Sequence, residues 1–259
     1  MPASLQGLLG AVVLLFIQGE PLAAQATTQS LLGEPFAPIA MPSAPSEPDA
    51  YRLWEEALNT RGRRVLVSVS ERRLWIFDGS TPVFSAPVAV GKSVVLEYEA
   101  QTWNFATPRG RRSVIGKEKN PIWIPPEWHY VELALAQGWK LAEPTAEHAI
   151  PLSDGSKVTV QGDRIGRLLP DGSFVPVPVG EEAVFEGTLF MPPIHTDNRR
   201  IPGMLGRYKL DLGDAYYLHG TPYSESIGTA TTHGCIRMRD ADIEHLFRTI
   251  EVGTPIFIF

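Results

Sequence analysis

The sequence predicts a mainly β fold, a β-rich α+β domain with a few peripheral helices. Three features carry that prediction: a period-two alternation near residue 65, turn dipeptides separating short apolar runs, and one clear amphipathic helix near the C-terminus. In the first, Val65, Val67 and Val69 alternate with Leu66, Ser68 and Ser70, which is the period of a strand. Arg72 and Arg73 mark a turn, and Leu74-Trp75-Ile76-Phe77 reads as a second strand. Asp78-Gly79 closes it with a strong hairpin signal, and residues 82–90 make a third, so this region predicts an antiparallel meander. Thr107-Pro108-Arg109-Gly110 is a tight turn, after which extended structure resumes from Val114 to Trp123. Pro125-Pro126 stops that strand, and residues 127–139 show helical spacing through Trp128, Val131 and Leu135. Between residues 143 and 193, Asp154-Gly155 and Asp171-Gly172 separate short extended runs, which predicts a β-rich insertion on the surface of the main sheet. Residues 207–212 and 215–218 read as strands leading into His219. Asp240 then stands as an N-cap, with Ile243, Leu246, Phe247 and Ile250 on one helical face. Gly253 ends that helix, and residues 255–259 form an apolar terminal strand.

Composition bounds the function. The chain has 259 residues, 44% hydrophobic and 20% charged, as in an ordinary globular protein, so wholesale disorder is excluded. With 29 acidic and 23 basic residues the formal charge is -6, which argues against a nucleic-acid binder. A single cysteine makes no internal disulfide and supplies too few thiols for a multi-cysteine zinc site. No apolar run reaches the roughly 18 residues of a membrane-spanning helix. Residues 8–17 are apolar, Gly19 and Glu20 break the run, and Ala24-Gln25-Ala26 follows, so residues 1–26 read as an export signal cut near Ala26. No Lys or Arg precedes the apolar run, so the amino terminus alone supplies charge there. That reading places the protein in the periplasm or cell envelope, with no membrane segment after the signal is removed. Residues 27–62, with Pro35, Pro38, Pro42, Pro45 and Pro48, read as a proline-rich linker ending in a short helix at 51–59. The folded body then spans 63–259.

The only cysteine lies in Thr232-His233-Gly234-Cys235-Ile236-Arg237, and His219 precedes it in Leu218-His219-Gly220-Thr221. A thiol near its reference pKa of about 8.5 is mostly protonated at neutral pH, so a nucleophilic cysteine needs a base or a positive field. Two histidines compete for that role. His233 is too close in sequence to meet the sulfur head-on, whereas His219 arrives from another strand end and is the favoured base. Its second ring nitrogen needs an orienting carbonyl, for which Gly220 is the candidate. Gly234 lets the backbone approach a substrate, and the amides of Gly234 and Cys235 could hold an oxyanion. Arg237 offers a bidentate partner for a carboxylate. Residue types leave two other readings open: a buried structural cysteine, and a metal site using His219, His233 and Cys235 with His195 or Asp197.

At these residues the sequence resembles the L,D-transpeptidase catalytic domain, or YkuD-type domain. The family pattern is a histidine, a spacer of this length, then Ser or Thr before His-Gly-Cys and Arg or Asn two beyond. Here that runs from His219 through Thr232-His233-Gly234-Cys235 to Arg237. Thr107-Pro108-Arg109-Gly110, Asn120-Pro121-Ile122-Trp123 and Pro202-Gly203-Met204-Leu205-Gly206 are similar to further family blocks, so the likeness covers 63–259. Thr232 stands where serine is commoner. The resemblance implies a β-sandwich of mixed sheets and a cell-wall enzyme that needs no metal or other cofactor. Its partners would be peptidoglycan stem peptides, donor and acceptor. Cys235 would attack the meso-diaminopimelate carbonyl of a tetrapeptide stem, with His219 as proton acceptor, releasing D-alanine. A second stem's amine would resolve the thioester into a diaminopimelate–diaminopimelate cross-link. Gly220, Gly234 and His233 would serve orientation and the oxyanion, and Thr232, Arg237 and Thr221 the substrate. Rivals on the same site are an L,D-carboxypeptidase and an enzyme attaching or releasing a lipoprotein. A rival of another class is a non-catalytic wall-binding domain. The remaining conspicuous residues take plain readings: Trp103, Trp123, Trp128 and Trp139 as core, and His129, His148 and His245 as surface or helix-face residues. His195 sits in a loop beside the cleft at most. Arg61, Arg63, Arg64, Arg109, Arg111 and Arg112 read as solvated edges.

Overall fold

A computed structural model describes residues 39–259. The export signal at 1–26 lies outside the described residues. In chain order the structure begins with α1 (Pro48–Asn59), then β1 (Arg64–Ser68), β2 (Arg73–Asp78), β3 (Thr81–Pro87) and β4 (Val90–Gly91). Next come the ribbon β5 (Val95–Tyr98) and β6 (Gln101–Asn104), then β7 (Gly110–Ser113), β8 (Gly116–Lys119), β9 (Ile122–Trp123) and α2 (Glu127–Gln137). β10 (Lys140–Ala142) leads into β11 (Ile150–Pro151), β12 (Lys157–Gln161), β13 (Arg164–Leu168) and β14 (Phe174–Pro176). β15 (Val184–Phe185), β16 (Thr188–Phe190), β17 (Ile201–Pro202), β18 (Tyr208–Asp211) and β19 (Tyr217–His219) follow. β20 (Ala230–Thr232), β21 (Ile236–Arg237), α3 (Asp240–Thr249) and β22 (Pro255–Ile258) complete the chain. The fold is mainly strands in several mixed sheets with three helices, as the sequence predicts.

Two sheets organise the body. The first has the order β3-β2-β1-β22-β7, and the second β21-β19-β18-β8. The meander β1–β3 is antiparallel, but the terminal strand β22 joins β1 in parallel, with Leu66 opposite Phe257. Strand alternation sends Val65 and Val67 to one side, where they meet Ile256, Leu210, Leu218, Ile236 and the Ile243–Leu246–Ile250 face of α3. Leu66, Trp75, Phe77 and Phe257 point to the other side and pack against Ala50 and Ala57 of α1. The first sheet is therefore covered on both faces, which is why every residue of β1 is buried. Residues 150–176 form a separate antiparallel sheet, β11-β12-β13-β14, around Val158, Val160 and Ile165. No helix among the described residues is long and apolar enough to cross a membrane.

Two details differ from the sequence reading. The described part of the segment read as linker, residues 39–62, packs on the body. α1 docks on the sheet, and the indole N–H groups of Trp75 and Trp54 donate to the carbonyls of Ala40 (2.8 Å) and Pro42 (3.3 Å). Arg64 is no solvated edge: it is fully buried beneath α1. Its guanidinium donates to the carbonyls of Ala57, Leu58 (3.1 Å), Gly62 (3.0 Å) and Gly79 (2.6 Å). The first two belong to the last turn of α1, where carbonyls lack helical partners and a cation is favoured. Replacing Arg64 with Met should therefore orphan these carbonyls and cost about 2–4 kcal/mol in urea unfolding. An unchanged midpoint would remove Arg64 from the anchoring of α1.

Candidate active site

The second sheet sets the site. β18 and β19 form a hairpin whose register places Lys209 opposite His219, and β21 runs parallel to β19 with Arg237 opposite His219. On the far side Lys209 faces Glu118 of β8, at 2.7 Å between Nζ and Oε2. Glu118, Lys209, His219 and Arg237 thus form one row across four strands. Leu210, Leu218 and Ile236, the intervening residues, are buried in the core beneath. Cys235 directly precedes β21, two positions before Arg237, so Cys235 and His219 lie at neighbouring strands of one sheet.

His219 is buried, and its Nδ1 lies 2.6 Å from the Gly220 carbonyl. A carbonyl only accepts, so Nδ1 carries the proton and Nε2 keeps its lone pair. The Gly220 carbonyl is itself fixed. The Asp240 carboxylate accepts the Thr221 amide at 3.2 Å and the Arg207 amide at 3.4 Å, which fastens the chain on either side of the β18–β19 hairpin. Gly220 and Gly206 pack backbone to backbone against this carboxylate, and a Cβ on either would collide with Asp240 Oδ1. The sequence reading gave Asp240 to the helix as its N-cap. Arg239 holds that position instead, without a side-chain cap, because the Asp240 carboxylate serves the loop.

Cys235 is half-buried. Its thiol donates a long contact of 3.8 Å to the Ala215 carbonyl. Burial pushes the thiol up to about 11, against a backbone hydrogen bond from Tyr217 and the charges of Arg237 and Lys209, which lower it. Burial also depresses His219 to about 4, and Arg237 and Lys209 push the same way. Thiol and imidazole are therefore both neutral at physiological pH. The turn before Cys235 is tied by Thr232, whose hydroxyl donates to the Cys235 carbonyl at 2.6 Å and accepts the Gly234 amide at 3.2 Å. Gly234 has φ +116, and a Cβ there would stand 2.8 Å from the Tyr216 ring. Glycine is required on both counts.

Other residues named from sequence fall as follows. Thr221 is buried, and its hydroxyl accepts the Tyr223 amide at 3.0 Å. Arg237 donates from Nη1 to Ser226 at 3.0 Å, and its buried Nε meets no partner among the described residues. That guanidinium keeps hydrogen-bonding capacity for an anion. The His233 ring turns toward α2: it stacks on Trp128 with centroids 3.9 Å apart, and Nε2 lies 2.7 Å from Glu132 Oε2. His195 is exposed. Among the described residues no three His, Cys, Asp or Glu side chains converge as metal ligands, so the metal reading lacks a ligand set. Sequence reasoning missed Lys209, Tyr217, Lys92, Glu132 and the role of Asp240. A hairpin folded about Asp214 places Lys209 across from His219, so that residue had a signal. Glu132 had none, standing 101 positions from His233.

Residues 62–258 match the YkuD family, the L,D-transpeptidase catalytic domain, and the chain belongs to that family. A protein named "Probable L,D-transpeptidase ErfK/SrfK" from Salmonella typhimurium is 25% identical over 195 residues, 75% of this chain and 43% of its own length. "Probable L,D-transpeptidase YbiS" from Escherichia coli is 42% identical over 52 residues, 20% of this chain and 17% of its own. The chain thus aligns with less than half the length of either relative. Among solved structures, an L,D-transpeptidase from Xylanimonas cellulosilytica aligns over 82% of this chain and 70% of its own, with 13% identity and a TM-score of 0.42.

The neutral pair has two measurable consequences. Iodoacetamide alkylation of Cys235 should climb about tenfold per pH unit through neutrality, and a plateau between pH 5 and 8 would reveal a preformed thiolate instead. His219, depressed from 6.5 to about 4, binds fewer protons in the native than in the unfolded state. Its stabilising contribution is complete above pH 6.5 and lost as pH falls through 4, with a slope of up to about 1.4 kcal/mol per unit. Urea melts of the wild type and His219→Gln over that window check this, the variant showing a shallower slope by the His219 share.

Proposed function

We propose that the protein is an exported cysteine L,D-transpeptidase of the cell envelope, acting on peptidoglycan tetrapeptide stems. One observation carries the reading: His219, with Nδ1 committed to the Gly220 carbonyl, shares a sheet row with Arg237 of β21, the strand that Cys235 directly precedes. His219 Nε2 takes the thiol proton as Sγ bonds to the meso-diaminopimelate carbonyl carbon. A neutral base poised in this way avoids the cost of holding a buried ion pair before substrate arrives. The amide of Cys235 holds the oxyanion, and the Gly234 amide shares its proton between that oxygen and Thr232. The imidazolium then protonates the departing amine, the C–N bond breaks, D-alanine leaves and a thioester remains. Burial among cations keeps the imidazolium short-lived, which favours that proton's return. A second stem's amine attacks the thioester and passes its proton through His219 to the sulfur. The product is a new amide between two diaminopimelates. Arg237, with hydrogen-bonding capacity to spare, fits a donor carboxylate.

Incubation with purified tetrapeptide muropeptides, read by mass spectrometry, tests this. Cross-linked dimers support the transpeptidase. Tripeptides alone mean that water resolves the thioester, as in an L,D-carboxypeptidase, and unchanged substrate favours a wall-binding domain. Cys235→Ala should abolish turnover and keep the wild-type circular dichroism spectrum. Turnover by that variant would defeat the thiol mechanism.

A further inference from the structure

Beside the site lies a second polar cluster that the acyl-transfer steps leave unused. Lys92, just after β4, sends Nζ to Glu132 Oε1 of α2 at 2.6 Å. The other oxygen of the same carboxylate lies 2.7 Å from His233 Nε2, and Lys92 Nζ stands 3.0 Å from that nitrogen. Three parts of the chain remote in sequence meet here. The backbone joins in: the Lys92 amide donates to the Thr232 carbonyl at 2.8 Å, and β4 runs parallel to β20. Aromatic rings flank His233, with Trp128 stacked on it at an interplanar angle of 12° and Phe105 edge-on at 4.5 Å.

We propose that Glu132 and Lys92 are positioning residues, which fix His233 as its Nε2–H tautomer and so tie helix α2 to the segment that carries Cys235. Two groups compete for Nε2: the Glu132 carboxylate only accepts and needs a proton there, whereas the Lys92 ammonium at 3.0 Å only donates. The shorter contact, 2.7 Å to Glu132, assigns the proton to Nε2, and Lys92 gives its own proton to the other carboxylate oxygen. Lys92 satisfies the other oxygen and keeps the carboxylate ionised, and the Glu132 carboxyl is lowered overall by its Lys92 and His233 partners despite burial. The groups facing the ring are Lys92 beyond β4, Glu132 and His129 from α2, and Arg237 from β21. Burial is the largest influence and lowers His233, Lys92 and Arg237 act in the same sense, and Glu132 opposes them. The net direction is down, which leaves the ring neutral with a lone pair on Nδ1. Such a ring donates nothing to an oxyanion, contrary to the role read for the His233 side chain from sequence. Its service is mechanical: a planar ring clamped between Trp128 and a carboxylate removes rotational freedom one residue before Gly234, the most permissive point of the loop. Small displacements of a nucleophile are costly in rate, so the clamp acts on turnover more than on substrate binding.

The inference rests on Cys235 as nucleophile, but its first readout is independent of turnover. Long-range proton–nitrogen NMR of histidine-labelled protein, assigned with His233→Gln, should show the Nε2–H tautomer at neutral pH. In Glu132→Leu the ring should become a mixture of tautomers, and kcat should fall about tenfold or more with KM within about threefold. Glu132→Gln retains an accepting oxygen and should restore both the tautomer and most of kcat. Lys92→Met should keep the tautomer and raise the His233 titration midpoint, which gives a second reading should Glu132→Leu fail to fold by thermal melting. An Nδ1–H tautomer in the wild type, or wild-type kcat in a folded Glu132→Leu, would overturn the clamp. Turnover by Cys235→Ala would overturn the proposed function instead and leave the tautomer result standing.

Discussion

The hydrogen bond from His219 Nδ1 to the Gly220 carbonyl, at 2.6 Å, is the constraint around which the site is organised. It decides which ring nitrogen is free to act as a base, and it works only if the carbonyl stays in place. Gly206, Gly220 and the Asp240 carboxylate keep it there by contact too close for any side chain at either glycine. The carboxylate that begins α3 thereby joins the helix to the hairpin β18–β19. The same helix buries Ile243, Leu246 and Ile250 in the main core, so the orientation of one imidazole is coupled to the packing of the body.

Electrostatics follow from that placement. His219 stands between Lys209 and Arg237 in one sheet row, and both cations disfavour its protonation while favouring ionisation of Cys235. Burial opposes ionisation of either group and outweighs the cations at the thiol. Both groups rest neutral. The Glu118 carboxylate holds Lys209 in its row, which keeps that positive field fixed.

Much of this was legible beforehand. The alternation at 65–70 predicts β1, Asp78-Gly79 predicts the β2–β3 hairpin, and the Ile243–Ile250 spacing predicts α3. Each is a local pattern read by local physics. Cys235 and His219 stood out as candidates because chemistry restricts which residue types can act, and a lone thiol draws attention. Arg64 was misread because a cluster of arginines looks solvated until a helix end is laid over it. Asp240 was assigned to a helix cap because the segment it fastens lies 19 positions back in sequence.

The sequence by itself determined the main elements, the family resemblance and the candidate pair Cys235 and His219, since periodicity, turn chemistry and motif spacing are properties of short stretches. Only the tertiary structure decided what those groups are like. Burial sets the neutral state of Cys235 and His219, and burial is the sum of neighbours from many parts of the chain. The Thr232 hydroxyl engages the Gly234 amide, and the His233 ring stacks on Trp128 with Nε2 beside Glu132. The Glu132 contact spans 101 residues, and no local pattern encodes a distance of that kind. Chain folding alone brings such groups within hydrogen-bond reach, where a few tenths of an ångström determine which proton is held and which is free.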